Sequence, residues 1–510
     1  MGEYGIGQAV SRFEDPRLLK GGGRYVDDFS LPRQTYAYIL RSPHAHARLK
    51  RIDLEAAKAM PGVLGVFTHA DLAADGLGTT RVQFQRKRPD GSPLFSVPHP
   101  GLARERVRYV GDPIALVVAE SLDQAKDAAE AIAIDFEPLP SVTATAEATR
   151  PGAPAVWDEC PDNISHVFET GNKAATDAAF AQAAHVVKRR YVISRVHAQF
   201  MEPRGALGHY EPRDERFTLY ADVQYPHRVR QMLANSIFKL PEQRIRVVAG
   251  DVGGGFGTKG WQYPEHRLML WAARKLGRPV KWRCERSECV LADEHGRDVI
   301  ADAELALDKA GKFLALRVRT ISNVGAYLSS DRNLLATFTS LGAVVGTYAI
   351  PAAYAHLTVA FSNCSATAPY RGAGRPEAIY IIERLIDDAA RELGLDRVAL
   401  RRANLIPAAA MPWKTPLGGL SYDCGEFQRN MDMAAALGDV AGFEARRAAA
   451  KARGKLRGLG IVNAIERAAG PGAEFAEVRF DTSGGATRLM GSKNQGQGHE
   501  TIFRQILIEK

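Results

Sequence analysis

Arg244-Ile-Arg-Val-Val-Ala-Gly-Asp-Val-Gly-Gly-Gly-Phe-Gly-Thr-Lys-Gly-Trp-Gln-Tyr-Pro264 is the stretch on which the reading of this chain turns. Its β-branched start predicts a strand over 244–249, and Pro264 opens a predicted helix over 264–276. A glycine run between strand and helix lets backbone N–H groups approach an anion, and the helix N-terminus favours negative charge there. Gly255 to Gly260 match G-x-G-x-x-G, but the glycines come several residues after the strand. A dinucleotide turn needs them at the strand tip. No G-x-x-x-x-G-K-[ST] is present, which excludes a P-loop. A tight structural turn is the alternative for the same residues.

Two further glycine loops share this character. Ala368-Pro-Tyr-Arg-Gly-Ala-Gly-Arg375 follows a stretch, Asn333 to Tyr370, that contains no Asp, Glu, Lys or Arg. Arg371 emerges from it into what reads as buried surroundings, where a guanidinium needs a partner: a core salt bridge or a bound anion. Gly491-Ser-Lys-Asn-Gln-Gly-Gln-Gly-His-Glu-Thr501 sets Gln495, Gln497, His499 and Thr501 among glycines before a helix. That suits a ligand with many acceptors, such as a pterin or a phosphate; a surface loop is the alternative. Gln224 ends a predicted strand, a usual place for a site residue or for a plain strand-terminal amide. Three such loops suggest one elongated anionic ligand cradled by backbone.

Outward from the loops, the chain divides into three regions. Residues 1–150 alternate strand signals (36–40, 64–68, 114–119, 132–136) with helix signals at 53–60 and 121–131, the latter with Ser121 as N-cap. The Pro- and Thr-rich segment 137–154 reads as a linker. Residues 151–420 carry strand signals at 186–193, 217–223, 244–249 and 279–284, and a second helix over 376–393. Residues 421–510 open with a basic, Ala-rich helix around 434–455. Strand signals follow at 474–481 and 486–490, and then a terminal helix. The class is α+β.

The 510 residues suit about three domains. A hydrophobic share of 45% and a charged share of 25% exclude a disordered chain or a coiled coil. The net charge of +9 is mild for this length, and no nucleic-acid module is present. The charge-free stretch contains Gly342, Gly346, Pro351 and Asn363, so it reads as buried core and not as a membrane span. Five scattered cysteines argue against a disulfide framework. Cys284 and Cys289 lack the further ligands of a zinc or iron–sulfur site. The histidines do not fall at metal-ligand spacing. The N-terminus is not a signal peptide, and the expected location is cytoplasmic.

Several of these motifs together resemble one family. Tyr36-Ala-Tyr-Ile-Leu-Arg-Ser-Pro-His-Ala-His46 and Val107-Arg-Tyr-Val-Gly-Asp-Pro-Ile-Ala115 are similar to signatures of an N-terminal α/β hammerhead domain. Met201-Glu-Pro-Arg-Gly205, the loop 253–257 and Gly496-Gln-Gly-His-Glu-Thr501 are similar to a molybdopterin-binding region. The chain resembles the large, molybdenum-cofactor-binding subunit of the xanthine dehydrogenase, aldehyde oxidase and carbon monoxide dehydrogenase family. The implied fold is a hammerhead domain over 1–150, a first cofactor-binding domain over 151–420 and the start of a second over 421–510.

The implied cofactor is molybdenum on molybdopterin cytosine dinucleotide, with no metal ligand from the protein. By position, Gln224 matches a glutamine beside the metal's oxo group. Gly254, Gly255, Phe256 and Gly257 match the loop against oxo ligand and pterin. Arg371 matches a charge-stabilising arginine at the active site, followed by Gly372 and Ala373. Gln495, Gly496, Gln497, Gly498, His499 and Thr501 match pterin and dinucleotide contacts. Glu288 loosely matches a substrate-pocket acid of purine-oxidising members.

The resemblance implies hydroxylation of a small-molecule aldehyde or N-heterocycle with water as oxygen source. The copper-ligating Cys of true carbon monoxide dehydrogenases is replaced here by Gly372, as in the copper-free form. Electrons are expected to pass to a small [2Fe–2S] subunit and a medium FAD subunit, in a dimer of heterotrimers. The family's general-base glutamate lies beyond Lys510, so the chain reads as C-terminally truncated and inactive alone. The runner-up reading is a shortened, non-catalytic cofactor-binding or assembly protein.

Overall fold

The computed structural model describes residues 4–466 and 474–509. Two large sheets organise it. The first has seven strands, in the order Ile245–Val248, Arg216–Ala221, Gly205–Glu211, Val280–Arg283, Thr35–Arg41, Pro113–Ala119 and Val63–Phe67. Thr35–Arg41 pairs parallel with Val280–Arg283, and Arg216–Ala221 pairs parallel with Ile245–Val248; the other pairs are antiparallel. The hydrogen-bonded sheet therefore runs across the change of sequence character near residue 150.

The helix Pro264–Leu276 forms as the sequence predicts and lies on this sheet with Leu268 to Ala273 buried. Gly208 permits the approach: a Cβ there would lie 2.4 Å from the Met269 carbonyl oxygen. Each Leu or Ile buried in such an interface contributes about 1.5–3 kcal/mol.

The second sheet has five strands, in the order Ile164–Gly171, Ala352–Phe361, Phe313–Gly325, Gly296–Leu307 and His185–Val196. The helix Arg375–Leu393 buries Ile381, Ile382, Leu385 and Ile386, and with Leu305, Leu316, Val318, Leu357 and Val359 they form one core. The charge-free stretch supplies all but the first residue of the helix Arg332–Ala343, and the strand Ala352–Phe361, mostly buried, as expected. The long hairpin partners Gly296–Leu307 and Phe313–Gly325 carry no strand in the sequence reading. A third sheet joins Arg106–Val107, Ala47–Asp53 and Ala133–Pro138. Ser121 caps Leu122–Glu130 as expected, its Oγ accepting from the Gln124 N–H at 3.3 Å.

The segment 137–154, expected as a boundary linker, is packed as a strap. It holds the short helix Thr145–Ala148, the Val142 N–H donates to Asn363 Oδ1 at 3.0 Å, and Val142, Thr145 and Ala148 are buried. The basic helix around 434–455 is two helices, Phe427–Leu437 and Phe443–Ala452. Gly438 and Gly442 lie between them, and Asp439 sits at φ 45°. No helix of the described residues is long and apolar enough to cross a membrane.

Candidate active site

The first glycine loop leaves its strand at Val248 and folds back on Gln224. Gln224 follows the strand Arg216–Ala221, and its N–H donates to the Lys259 carbonyl at 2.9 Å. Its Oε1 accepts the Gly257 N–H at 2.8 Å. That bond orients the amide, and Nε2 keeps its donors with no acceptor among the described residues. Glycine is required at 255, where a Cβ would lie 2.7 Å from Gln224 Cδ. It is also required at 257, where φ is +101° and a Cβ would meet the Pro369 carbonyl oxygen at 2.4 Å. Gly254 and Gly255 are buried, and their N–H groups have no acceptor among the described residues. Buried amides are normally paired, so these two are open donors.

The loop is held from behind by charged side chains. Glu202 accepts the Gly253 N–H at 2.7 Å and the Val26 N–H at 3.1 Å. Lys259 is buried, bonds to the Glu202 carbonyl at 2.7 Å and pairs with Asp222 at 2.5 Å. Burial pushes the Glu202 carboxyl up and Asp222 adds to this, while Lys259 pulls it down. Arg332 gives one terminal nitrogen to the Gly257 and Thr258 carbonyls, both at 2.5 Å, and the other to Glu294 at 2.5 Å. With its carbonyls drawn toward Arg332, the loop presents N–H groups elsewhere. Arg332 is absent from the sequence reading, although it is the last charge before the charge-free stretch.

The second loop meets the first directly. The Arg371 N–H donates to the Phe256 carbonyl at 2.9 Å, and the Ala373 N–H to Tyr370 at 2.7 Å. Gly372 sits at φ +93° and Ala373 at +43°. The expectation that Arg371 is buried is corrected. The residue is exposed, and its guanidinium has no hydrogen bond or ion pair among the described residues. Loop curvature carries the side chain outward, and Arg297 takes the inner position instead. It binds the Arg371 carbonyl at 3.1 Å and Glu377 at 2.8 Å.

The third loop reaches the first through Lys493, whose Nζ donates to the Gly250 carbonyl at 2.6 Å. Burial lowers the Lys493 pKa. The N-terminal arm adds Arg17, which pairs with Asp251 at 2.7 Å and Glu500 at 3.5 Å. Gln497 Nε2 donates to Gln495 Oε1 at 2.8 Å, and Gly496 sits at φ +106° with open space where a Cβ would be. His499 lies beside Phe503, with ring centroids 5.0 Å apart, and burial lowers its pKa. Gly498 is buried against Arg12. Thr501 is engaged elsewhere: its hydroxyl donates to Glu14 at 2.5 Å and accepts from the Phe13 N–H at 2.9 Å.

Glu288 is engaged as well. Its carboxylate takes Arg41 Nε at 2.7 Å and the Glu285 N–H at 3.3 Å. It belongs to a buried ion cluster in which Glu265 links Arg41 to Arg204, and Arg204 binds Asp293 at 2.5 Å. Opposed charges hold Arg41 protonated and Glu265 ionised despite burial.

Comparisons with known proteins accord with this architecture. A family described as molybdopterin cofactor-binding domain matches residues 156–405, and a second of that description matches 434–510. The aldehyde oxidase and xanthine dehydrogenase a/b hammerhead domain matches residues 20–140. The chain is 34% identical to the nicotine 6-hydroxylase large subunit of Paenarthrobacter nicotinovorans, over 99% of this chain and 62% of that protein. It is also 34% identical to the carbon monoxide dehydrogenase large chain of Afipia carboxidovorans, over 99% of this chain and 64% of that protein. The crystal structure of quinoline 2-oxidoreductase from Pseudomonas putida superposes with a TM-score of 0.89 at 33% identity, covering 99% of this chain and 64% of that one. The chain thus spans less than two thirds of the length of these relatives.

Proposed function

Because the chain belongs to the family of large molybdenum-cofactor-binding subunits of xanthine dehydrogenase, aldehyde oxidase and carbon monoxide dehydrogenase, we propose that its glycine loops hold that cofactor for oxidation of an aldehyde or N-heterocycle. The observation that carries the reading is the donor set around Gln224. Gly257 fixes the amide by its Oε1, and Nε2 and the buried N–H groups of Gly254 and Gly255 are left for an acceptor-rich ligand. This set fits a group that presents oxo and pterin acceptors and brings its own sulfur ligands to the metal. When bound, that group supplies the two-electron oxidation of the substrate carbon, with water as oxygen source.

In this reading Gln224 orients the group by hydrogen bonds, and the backbone of Gly254, Gly255, Phe256 and Gly257 sets its depth. Arg371, with Gly372 and Ala373 behind it, faces developing negative charge with a guanidinium that pairs with no carboxylate among the described residues. Gln495, Gly496, Gln497, Gly498 and His499 meet the cytosine dinucleotide extension, with Lys493 adding positive charge. Thr501 contributes by fixing the loop to the N-terminal arm. Glu288 acts by holding Arg41, not by touching substrate. Electrons leave through a small [2Fe–2S] subunit and a medium FAD subunit, in a cytoplasmic dimer of heterotrimers.

The test is extraction. The chain, produced in cells that make the cofactor, is denatured in acid and assayed for molybdenum and cytidine monophosphate. Stoichiometric recovery of both is expected. Recovery of neither from a folded chain overturns the reading.

A further inference from the structure

Away from the glycine loops, two cysteines face each other in the interior. Cys284 follows the strand Val280–Arg283, and Cys289 lies in the helix Arg286–Ala292. Their Sγ atoms are 3.3 Å apart, and both residues are buried. Each is fixed by its backbone: the Cys284 N–H donates to the Arg204 carbonyl and the Cys289 N–H to the Glu285 carbonyl, both at 2.9 Å. The remaining cysteines, Cys160, Cys364 and Cys424, are not part of this group.

An Asp293 oxygen lies within 4.8 Å of both sulfurs, which gives the trio the outline of a cation site. Its electrostatics oppose one. Asp293 Oδ1 is taken by Arg204 Nε at 2.5 Å and Oδ2 by His197 Nε2 at 2.8 Å. A guanidinium bound to the third ligand repels a divalent cation, and each of that ligand's oxygens already accepts a hydrogen bond. The same guanidinium favours negative charge on sulfur, while the Asp293 carboxylate opposes it at Cys289. Burial raises the Cys284 thiol, and the contact between the two sulfurs holds Cys289 down, so Cys289 is the first to ionise. A dithiol with its sulfurs in contact is the arrangement for sulfur–sulfur chemistry.

We propose that Cys284 and Cys289 are a redox-modification site that closes to a disulfide on reaction with a hydroperoxide. The Cys289 thiolate attacks one peroxide oxygen. The O–O bond breaks, a sulfenic acid forms, and the leaving oxygen departs as water (or as an alcohol, from an alkyl hydroperoxide) with the proton. Cys284 then attacks that sulfur and its proton passes to the departing hydroxyl. The S–O bond breaks, the S–S bond forms, and water leaves. Two thiols have lost two electrons and two protons, and the peroxide has been reduced by two electrons. Closure needs the sulfurs to approach from 3.3 Å to about 2.0 Å. The ring joins the end of a sheet strand to the helix that carries Glu288, the partner of Arg41.

The test is differential alkylation of the full chain. Reduced protein is treated with hydrogen peroxide, denatured and alkylated, and its peptides are weighed. Two of the five cysteines should lose alkylation together. The peptide spanning 284–289 should be lighter by two hydrogen atoms, and a dithiol reductant should restore both thiols. Cys424→Ser should leave this unchanged, while Cys284→Ser should stop Cys289 at an alkylation-resistant oxidised thiol. Full alkylation of both cysteines after peroxide overturns the proposal. So does a disulfide to Cys364 or Cys424, or stoichiometric zinc that must be chelated before the pair reacts. The wild-type and Cys424→Ser results stand even if a buried variant fails to fold.

Discussion

The Gly257 N–H donates to Gln224 Oε1 at 2.8 Å, two residues beyond a position where any Cβ would strike the same side chain. Loop and strand end are therefore one unit. Gln224→Ala leaves the Gly257 N–H without its acceptor, at a cost of about 1–3 kcal/mol. Gln224→Glu keeps an acceptor and recovers most of that loss. Gly255→Ala displaces the Gln224 amide and costs about 1–3 kcal/mol. Urea midpoints of the three variants check the order, with Gln224→Glu nearest to wild type.

Arg204 has nearly no exposed surface and neutralises Glu265 and Asp293 at once. Its Cζ also lies 3.8 Å from the Tyr263 ring centroid. Arg204→Leu leaves two buried carboxylates short of a partner and should cost about 3–5 kcal/mol. Arg204→Lys should not rescue it, because a single ammonium cannot match the fork. Thermal unfolding reads both. Equal melting temperatures for Arg204→Lys and wild type contradict this account.

Three histidines make the fold acid-labile. Burial lowers the pKa of His166, His266 and His295 to about 4. Unfolded histidine takes up a proton below about 6.5, and the folded forms do so only near 4. The stability they carry is therefore full above pH 6.5 and is lost as pH falls toward 4. His266, whose Nδ1 accepts the Tyr263 N–H at 3.2 Å, accounts for about 3 kcal/mol of that loss. His266→Asn keeps an acceptor without a proton to gain. Its unfolding free energy, measured from pH 7 to 4.5, should fall less steeply than that of wild type.

The N-terminal arm and the terminal helix fasten each other. Thr501 binds both Glu14 and Phe13, and Gln505 Nε2 donates to the Gly5 carbonyl at 3.1 Å. Thr501→Val removes the first two bonds at nearly constant volume. Limited proteolysis should then cleave within residues 4–20 several-fold faster, with the rest of the digest unchanged. An unaltered rate at the arm contradicts the coupling.

The elements around the glycine loops were legible because their punctuation is chemical: Pro264 starts a helix, Ser121 caps one, and glycines mark the turns between. The hairpin of Gly296–Leu307 and Phe313–Gly325 was legible in principle. Ala301, Ala303 and Leu305 alternate with Asp302 and Glu304, and Asp308 to Gly311 make the turn. The alternation fades where Leu305 to Leu307 are all buried, and that run masks the period. The break at Gly438 was hidden by the alanines on either side, which favour helix wherever they stand. In the site, the glycines, Gln224 and Arg371 were visible as residue types. The exposure of Arg371 was not, because it depends on Arg297 taking the inner position from a strand far away in sequence. The contacts of Glu288 and Thr501 likewise involve partners, Arg41 and Glu14, that no local spacing reveals.

The parallel pairing of Thr35–Arg41 with Val280–Arg283 bears on how the chain is made. Synthesis delivers the first strand long before its neighbour exists. Until then Thr35–Arg41 has Pro113–Ala119 on one side and an open edge on the other, and open edges recruit other chains. Pairing at such separation is slow even in a finished chain. A ribosome-bound intermediate in which Val280–Arg283 has not yet emerged should therefore be the stage at which this protein most needs a chaperone. Release from that dependence should come when Val280–Arg283 clears the exit tunnel and closes the sheet.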